Sequence, residues 1–179
     1  MLAYGARWSR PRRHNAGGTE GVDMSSEWLV ALEKGEEPHV LHRMRTGWAV
    51  LGSTQHLPGY YLLVYAGSAN HLTDLPHPER TSFLFDLSLL GEAVSQVCAA
   101  RDEGFLRINY EVLGNLWPHL HGHVHARYSW EEESLRVGPV YLYGAERAKK
   151  EHAIGAAHDQ LHTDLREALS ALTHDAYST

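Results

Sequence analysis

Residues 118–128, "PHLHGHVHARY", decide how the chain is to be read. Histidine stands at positions 119, 121, 123 and 125, and Leu120, Gly122, Val124 and Ala126 fill the places between. Along a β-strand successive side chains point to opposite faces. The stretch is therefore a strand with an imidazole front and a small or apolar back. With 14 histidines in 179 residues the chain is rich in this residue throughout, but four in strict alternation make a row rather than a scatter.

Three chemistries suit such a row. It can hold a metal, since neutral imidazole is a zinc ligand and i, i+2 pairs on strands bind zinc; no H-E-x-x-H stands nearby, and one cysteine rules out a thiolate-rich site. It can be a polar sheet face whose rings bond to neighbours. Or it can catalyse. A neutral imidazole has one N–H and one lone pair, so a backbone carbonyl that accepts the N–H fixes the tautomer and leaves the other nitrogen as a nucleophile. Flanking imidazoles then donate to phosphate oxygens and stabilise developing charge.

Outward from the row, "GFLRINYEVLG" (104–114) alternates Leu106, Ile108, Tyr110 and Val112 and predicts a strand before it. "TGWAVLGS" (46–53) and "YYLLVYA" (60–66), joined through Pro58-Gly59, predict an antiparallel pair. A helix is expected from about 78 to 100, with Phe83, Leu87, Leu90, Val94 and Val97 on one face, and a second from about 153 to 173. Ser26 is placed to cap a short first helix ending at Gly35. The order is helix, two strands, long helix, two strands, loop and helix: α+β with a mainly antiparallel sheet. Neither G-x-G-x-x-G nor G-x-x-x-x-G-K-[ST] occurs.

The chain is of a length for one domain, expected over residues 24–179. Residues 1–23, with four arginines and no sustained periodicity, read as a disordered tail, and Met24 as a plausible start. A net charge of −6 argues against a general DNA or RNA binder, which needs clustered cations. The apolar run around "PGYYLLVYAG" is too short to span a bilayer, so no membrane partner is expected. The single cysteine, Cys98, reads as a buried packing residue, and the expected compartment is the cytoplasm.

The row resembles the motif of the histidine triad (HIT) proteins, His-φ-His-φ-His-φ-φ with φ apolar, in the "PHLHxHxxPR" form of bacterial members. Two registers are open. Taking 119, 121 and 123 keeps Pro118 before the motif and Arg127 after it, whereas taking 121, 123 and 125 puts Arg127 at an apolar place. The first is adopted, which makes His121 the nucleophile. The likeness extends over most of residues 26–145, through the Pro-Gly hairpin, "NHLTDLP" and "INYEVLGNLWPHLH".

The resemblance implies a HIT-like five-stranded, mainly antiparallel sheet with a long helix and a C-terminal helix. It implies a homodimer that hydrolyses or transfers a nucleotidyl group of a dinucleoside polyphosphate or nucleoside phosphoramidate through a nucleotidyl-histidine, with no cofactor and no metal. His119, His123, Asn109, Asn115 and His71 are the implied phosphate and substrate contacts. Gly122, His125 and Ala126 depart from the family's usual residues, and Gly52 and Ser53 stand where a ribose-binding carboxylate or amide is common. The rival reading is a non-catalytic nucleotide- or metal-binding protein on the same fold.

Overall fold

The structure, a computed structural model, describes residues 26–178. The expected tail over 1–23, the start at Met24 and the capping side chain of Ser26 lie outside what is described. The elements run α1 (Ser26–Lys34), β1 (Val40–Arg43), β2 (Gly47–Leu51), β3 (Tyr60–Tyr65), α2 (His77–Arg101), β4 (Phe105–Glu111), β5 (His121–Tyr128), α3 (Glu133–Arg136) and α4 (Asp159–Tyr177). Gly35, at φ +72°, ends α1 with a Schellman pair: the Gly35 amide donates to the Leu32 carbonyl and the Glu36 amide to that of Ala31.

The five strands form one sheet in the order β1-β2-β3-β5-β4, every neighbouring pair antiparallel. The fifth strand, β1, is "VLHR", too short to show an alternation of its own. Residues 153–158, expected to be helical, instead make turns; Ala153 is held in a bridge to Thr54, and α4 begins only at Asp159.

One sheet face packs on α2 and α4. Tyr61, Leu63, Val124 and Ala126 meet Phe83, Leu90 and Val94 of α2 and Leu165 and Leu169 of α4 in a continuous apolar core. By length and composition α2 could cross a bilayer, but it is the core helix, half buried against these layers. Asp86, fully buried on α2, accepts bonds from the Thr46 amide (2.7 Å), the Thr46 hydroxyl (2.6 Å) and the Tyr177 hydroxyl (2.6 Å). This one carboxyl group ties the β1–β2 turn to the end of α4, and the three donors satisfy its buried oxygens.

The opposite face carries a second apolar cluster of Trp28, Leu32, Trp48, Val50, Leu62 and Val64 beside the histidine row. Cross-strand register sets that row: His121 lies opposite Val64, His123 opposite Leu62, and His125 opposite Tyr60. The back of β5 is tight. A Cβ at Gly122 would sit 2.8 Å from Leu87 Cδ1, so the glycine that departs from the family pattern makes room for α2.

Candidate active site

His121, His123 and His125 of β5 are buried on the face away from α2, as strand alternation requires, and His119, two residues ahead of the strand's first residue, is buried as well. His121 Nδ1 lies 2.6 Å from the carbonyl oxygen of His119. A carbonyl only accepts, so the proton is on Nδ1 and the Nε2 lone pair is left free. No described residue bonds to that nitrogen. Burial, with a smaller push from His119, holds the His121 pKa below the usual imidazole value, against the opposing pull of the carbonyl.

On either side, His119 Nε2 donates to the Tyr65 carbonyl at 2.8 Å, and His123 Nδ1 lies 3.0 Å from the Tyr60 hydroxyl. Burial, His121 and Arg147 push the His123 pKa down to about 3. Tyr60 is buried and its hydroxyl stays protonated, since burial drives its pKa far up. The rings of His119, His121 and His123 are thus each oriented by a backbone or tyrosine oxygen, and burial biases His121 and His123 toward the neutral form.

Aromatic side chains close the row from two ends. Trp117 stacks on His119 at 4.6 Å and tilts over His121 at 5.1 Å, and meets Trp28 of α1 edge-on at 5.8 Å. Tyr60 stacks on His125 at 4.2 Å, and Tyr141 stands edge-on to His123 and His125. Over these lies Arg147, 4.5 Å from the Tyr141 ring centre and 5.9 Å from that of Tyr60.

Tyr141 and Arg147 come from a strap of 3-10 turns, Val140–Ala148, that follows α3 and crosses back to the β2–β3 loop. Arg127 anchors the start of the strap. Its guanidinium bonds both oxygens of Glu131 and the carbonyls of Leu135, Arg136 and Gly138. Arg127 is spent on this loop.

The expected contacts divide. His119, His121 and His123 stand together. Asn109 sits on β4 opposite His125, on the same sheet face, and lines a cleft of about 670 Å³ with Glu111 and Arg127 at the far end of the row. Asn115 and His71 are exposed on loops; a Cβ at Gly114 would lie 3.8 Å from the His71 ring, which puts those two loops side by side. None of Asn109, Asn115 and His71 bonds to the three histidines among the described residues.

Sequence reading missed Tyr60, Tyr141, Arg147 and Glu111, the carboxylate nearest the fourth histidine, whose Oε2 is 4.0 Å from His125 Nε2. Tyr60 was legible in principle from β-pairing register. Arg147 was not, because nothing in "YLYGAERAKK" marks one cation among three.

Comparison of the sequence with family models and with curated proteins returns no match. Solved structures do match. A histidine triad protein from Marinobacter aquaeolei VT8 is 24% identical with a TM-score of 0.56, over 76% of this chain and 89% of that one. One from Sinorhizobium meliloti 1021 is 21% identical with a TM-score of 0.59, over 72% and 87%. A zinc-bound histidine triad family protein from Mycobacterium smegmatis is 15% identical with a TM-score of 0.55, over 83% and 96%. The class is settled by architecture and row together: the chain has the histidine triad fold. The five antiparallel strands, the long helix and the C-terminal helix expected from the motif are those observed.

Proposed function

We propose that the protein is a nucleotidyl hydrolase or transferase of the histidine triad family, acting through His121. The observation that carries this reading is the His121 ring: its Nδ1–H is bound to the His119 carbonyl, so Nε2 presents a lone pair, with the His119 ring on one side and the neutral His123 ring on the other. Nε2 attacks the α-phosphorus, an N–P bond forms, and the P–O or P–N bond to the leaving group breaks. The leaving group departs with its electron pair and takes up a proton. Water then attacks the same phosphorus, the N–P bond breaks, and a nucleoside monophosphate leaves; another acceptor in place of water makes the reaction a transfer.

With the Tyr60 hydroxyl donating to its Nδ1, His123 carries its proton on Nε2 and offers it to a phosphate oxygen. The cluster of Trp48, Val50, Leu62 and Val64 beside the row suits the flat apolar face of a base. Asn109, Asn115 and His71 remain proposed substrate contacts. The substrate class is a dinucleoside polyphosphate or a nucleoside phosphoramidate, the enzyme a cytoplasmic homodimer that needs no cofactor and has no DNA, RNA or membrane partner.

The test is a denaturing quench during turnover of a dinucleoside polyphosphate by chelator-treated protein, read by mass spectrometry. A nucleotidyl adduct on His121, acid-labile and base-stable, is expected, and His121→Ala should lose several orders of magnitude in rate while keeping its fold. Activity that dies in chelator and returns with zinc, without adduct, would favour metal-bound water instead. Substrate binding with no turnover would favour the non-catalytic rival.

A further inference from the structure

Away from the histidine row, a second group of ligating side chains gathers where the strap crosses the β2–β3 loop. His152 Nε2 lies 3.1 Å from His56 Nδ1, 3.7 Å from Glu146 Oε1 and 3.7 Å from Glu151 Oε1. Zinc bonds nitrogen and carboxylate oxygen at about 2.0–2.2 Å, so two ligand atoms on one tetrahedral ion stand roughly 3.3–3.5 Å apart. The three separations bracket that value. The donor atoms of Glu146, Glu151 and His152 also lie within 4.8 Å of one another.

We propose that His56, Glu146, Glu151 and His152 form a binding site for a divalent cation of the zinc class. The set is two imidazoles and two carboxylates, which neutralises the ion's charge and suits a borderline metal. Without an ion, two imidazole nitrogens 3.1 Å apart share one proton between them at best; a cation gives both lone pairs a use. Lys149 holds Glu146 Oε1 at 2.7 Å, but this is an exposed ion pair on a flexible stem, which a doubly charged ion displaces.

The site joins two segments far apart in the chain. His56 belongs to the loop between β2 and β3, whereas the other three belong to the strap and the turn after it. Backbone contacts already bring these together, with the Gln55 amide donating to the His152 carbonyl at 2.8 Å and Thr54 paired with Ala153. Arg147 follows Glu146 directly, and its guanidinium lies over Tyr60 and Tyr141 beside the row. A bound ion therefore staples the strap down and holds Arg147 over the row.

Cobalt(II) titration of the purified full chain tests this, because a tetrahedral site gives Co²⁺ an intense visible absorption that zinc then abolishes. Wild type and His121→Ala should bind alike, whereas His152→Ala and the larger His152→Gln should each bind at least tenfold more weakly. Equal affinity in wild type and both His152 variants would overturn the proposal, as would loss of binding in His121→Ala alone, which would place the ion in the row. Arg147 in the strap, with Lys149 and Lys150 just after it, makes this segment a trypsin target. Zinc should slow cleavage there at least tenfold in wild type and not in His152→Ala; cleavage unaffected by bound zinc would overturn the stapling.

Discussion

His125 sits in the row without a role in the proposed chemistry, and its surroundings make it costly to protonate. It is fully buried, its Nε2 has no partner within bonding distance, and the nearest carboxylate, Glu111, is itself pushed toward its neutral form by burial. Burial, then His123, Arg147 and Arg127, hold its pKa far below the usual value, down to about 2. Between such a depressed folded value and the ordinary histidine value of about 6.5, the unfolded chain carries more protons than the folded one, so stability rises with pH. The contribution is complete above about pH 6.5 and drains as the pH falls through 6 and 5, at up to about 1.4 kcal/mol per pH unit for each such histidine. His123 adds to the same slope. His125→Leu, which keeps an apolar contact with Tyr60, should flatten the melting-temperature profile between pH 7 and 4 and leave neutral stability equal or higher. An acid slope identical to wild type would show that the buried ring is not its source. The same sign applies to catalysis: with the His121 pKa lowered, the rate should hold constant down through pH 6.5 and fall only on the acid side of it.

At the scale of elements, the contact between β5 and α2 fixes how far the nucleophile strand stands from the core helix. Leu87 fills the space that a side chain at Gly122 would need, with Cδ1 and Cδ2 at 2.8 and 2.9 Å from an added Cβ. Gly122→Ala should therefore cost roughly 1–3 kcal/mol by overpacking, and Gly122→Ala with Leu87→Ala should recover a good part of the loss by returning volume. Urea melts of both single variants and the double variant check this; strictly additive costs would mean that the two side chains do not compete. This pair shows what the sequence can and cannot say. Alternation alone placed His119, His121 and His123 on one face and put Gly122 at the back, because period-two patterning is local. It did not say that Leu87, 35 residues earlier, is the reason for the glycine. Likewise β1 and the strap were illegible because neither carries a period: β1 is held by pairing to β2, and the strap by Arg127, Glu131 and the loop at Thr54. Arg127 fits the motif by its position, and its four bonding partners, Glu131, Leu135, Arg136 and Gly138, make it the clamp of the 131–138 loop.

At the scale of the whole molecule, the sheet has two edges, and they differ. Strand β1 is four residues long, and Arg166 of α4 reaches the carbonyls of Val40 and Leu41. Strand β4 is seven residues long, pairs only with β5 and leaves its outer backbone groups unpaired within the described chain. A long edge of this kind invites a further strand. Along the same side stand exposed apolar groups, Leu106 and Tyr110 on β4 with Leu84 and Phe85 on α2, each more than one-third exposed. A second copy of the chain, set antiparallel across a two-fold axis, would pair β4 with β4 and cover these groups at once, since an isologous contact applies the same patch twice. It would also bring a second chain to the rim of the cleft that Asn109 and Glu111 line. The protein should therefore run in light scattering as a dimer of about 40 kDa, twice the 20.1 kDa chain. Tyr110→Asp with Leu106→Lys should shift it to monomer and reduce kcat/KM more than it lowers the melting temperature. A wild-type monomer at micromolar concentration, fully active, would show that the β4 edge meets solvent and that one chain completes its own site.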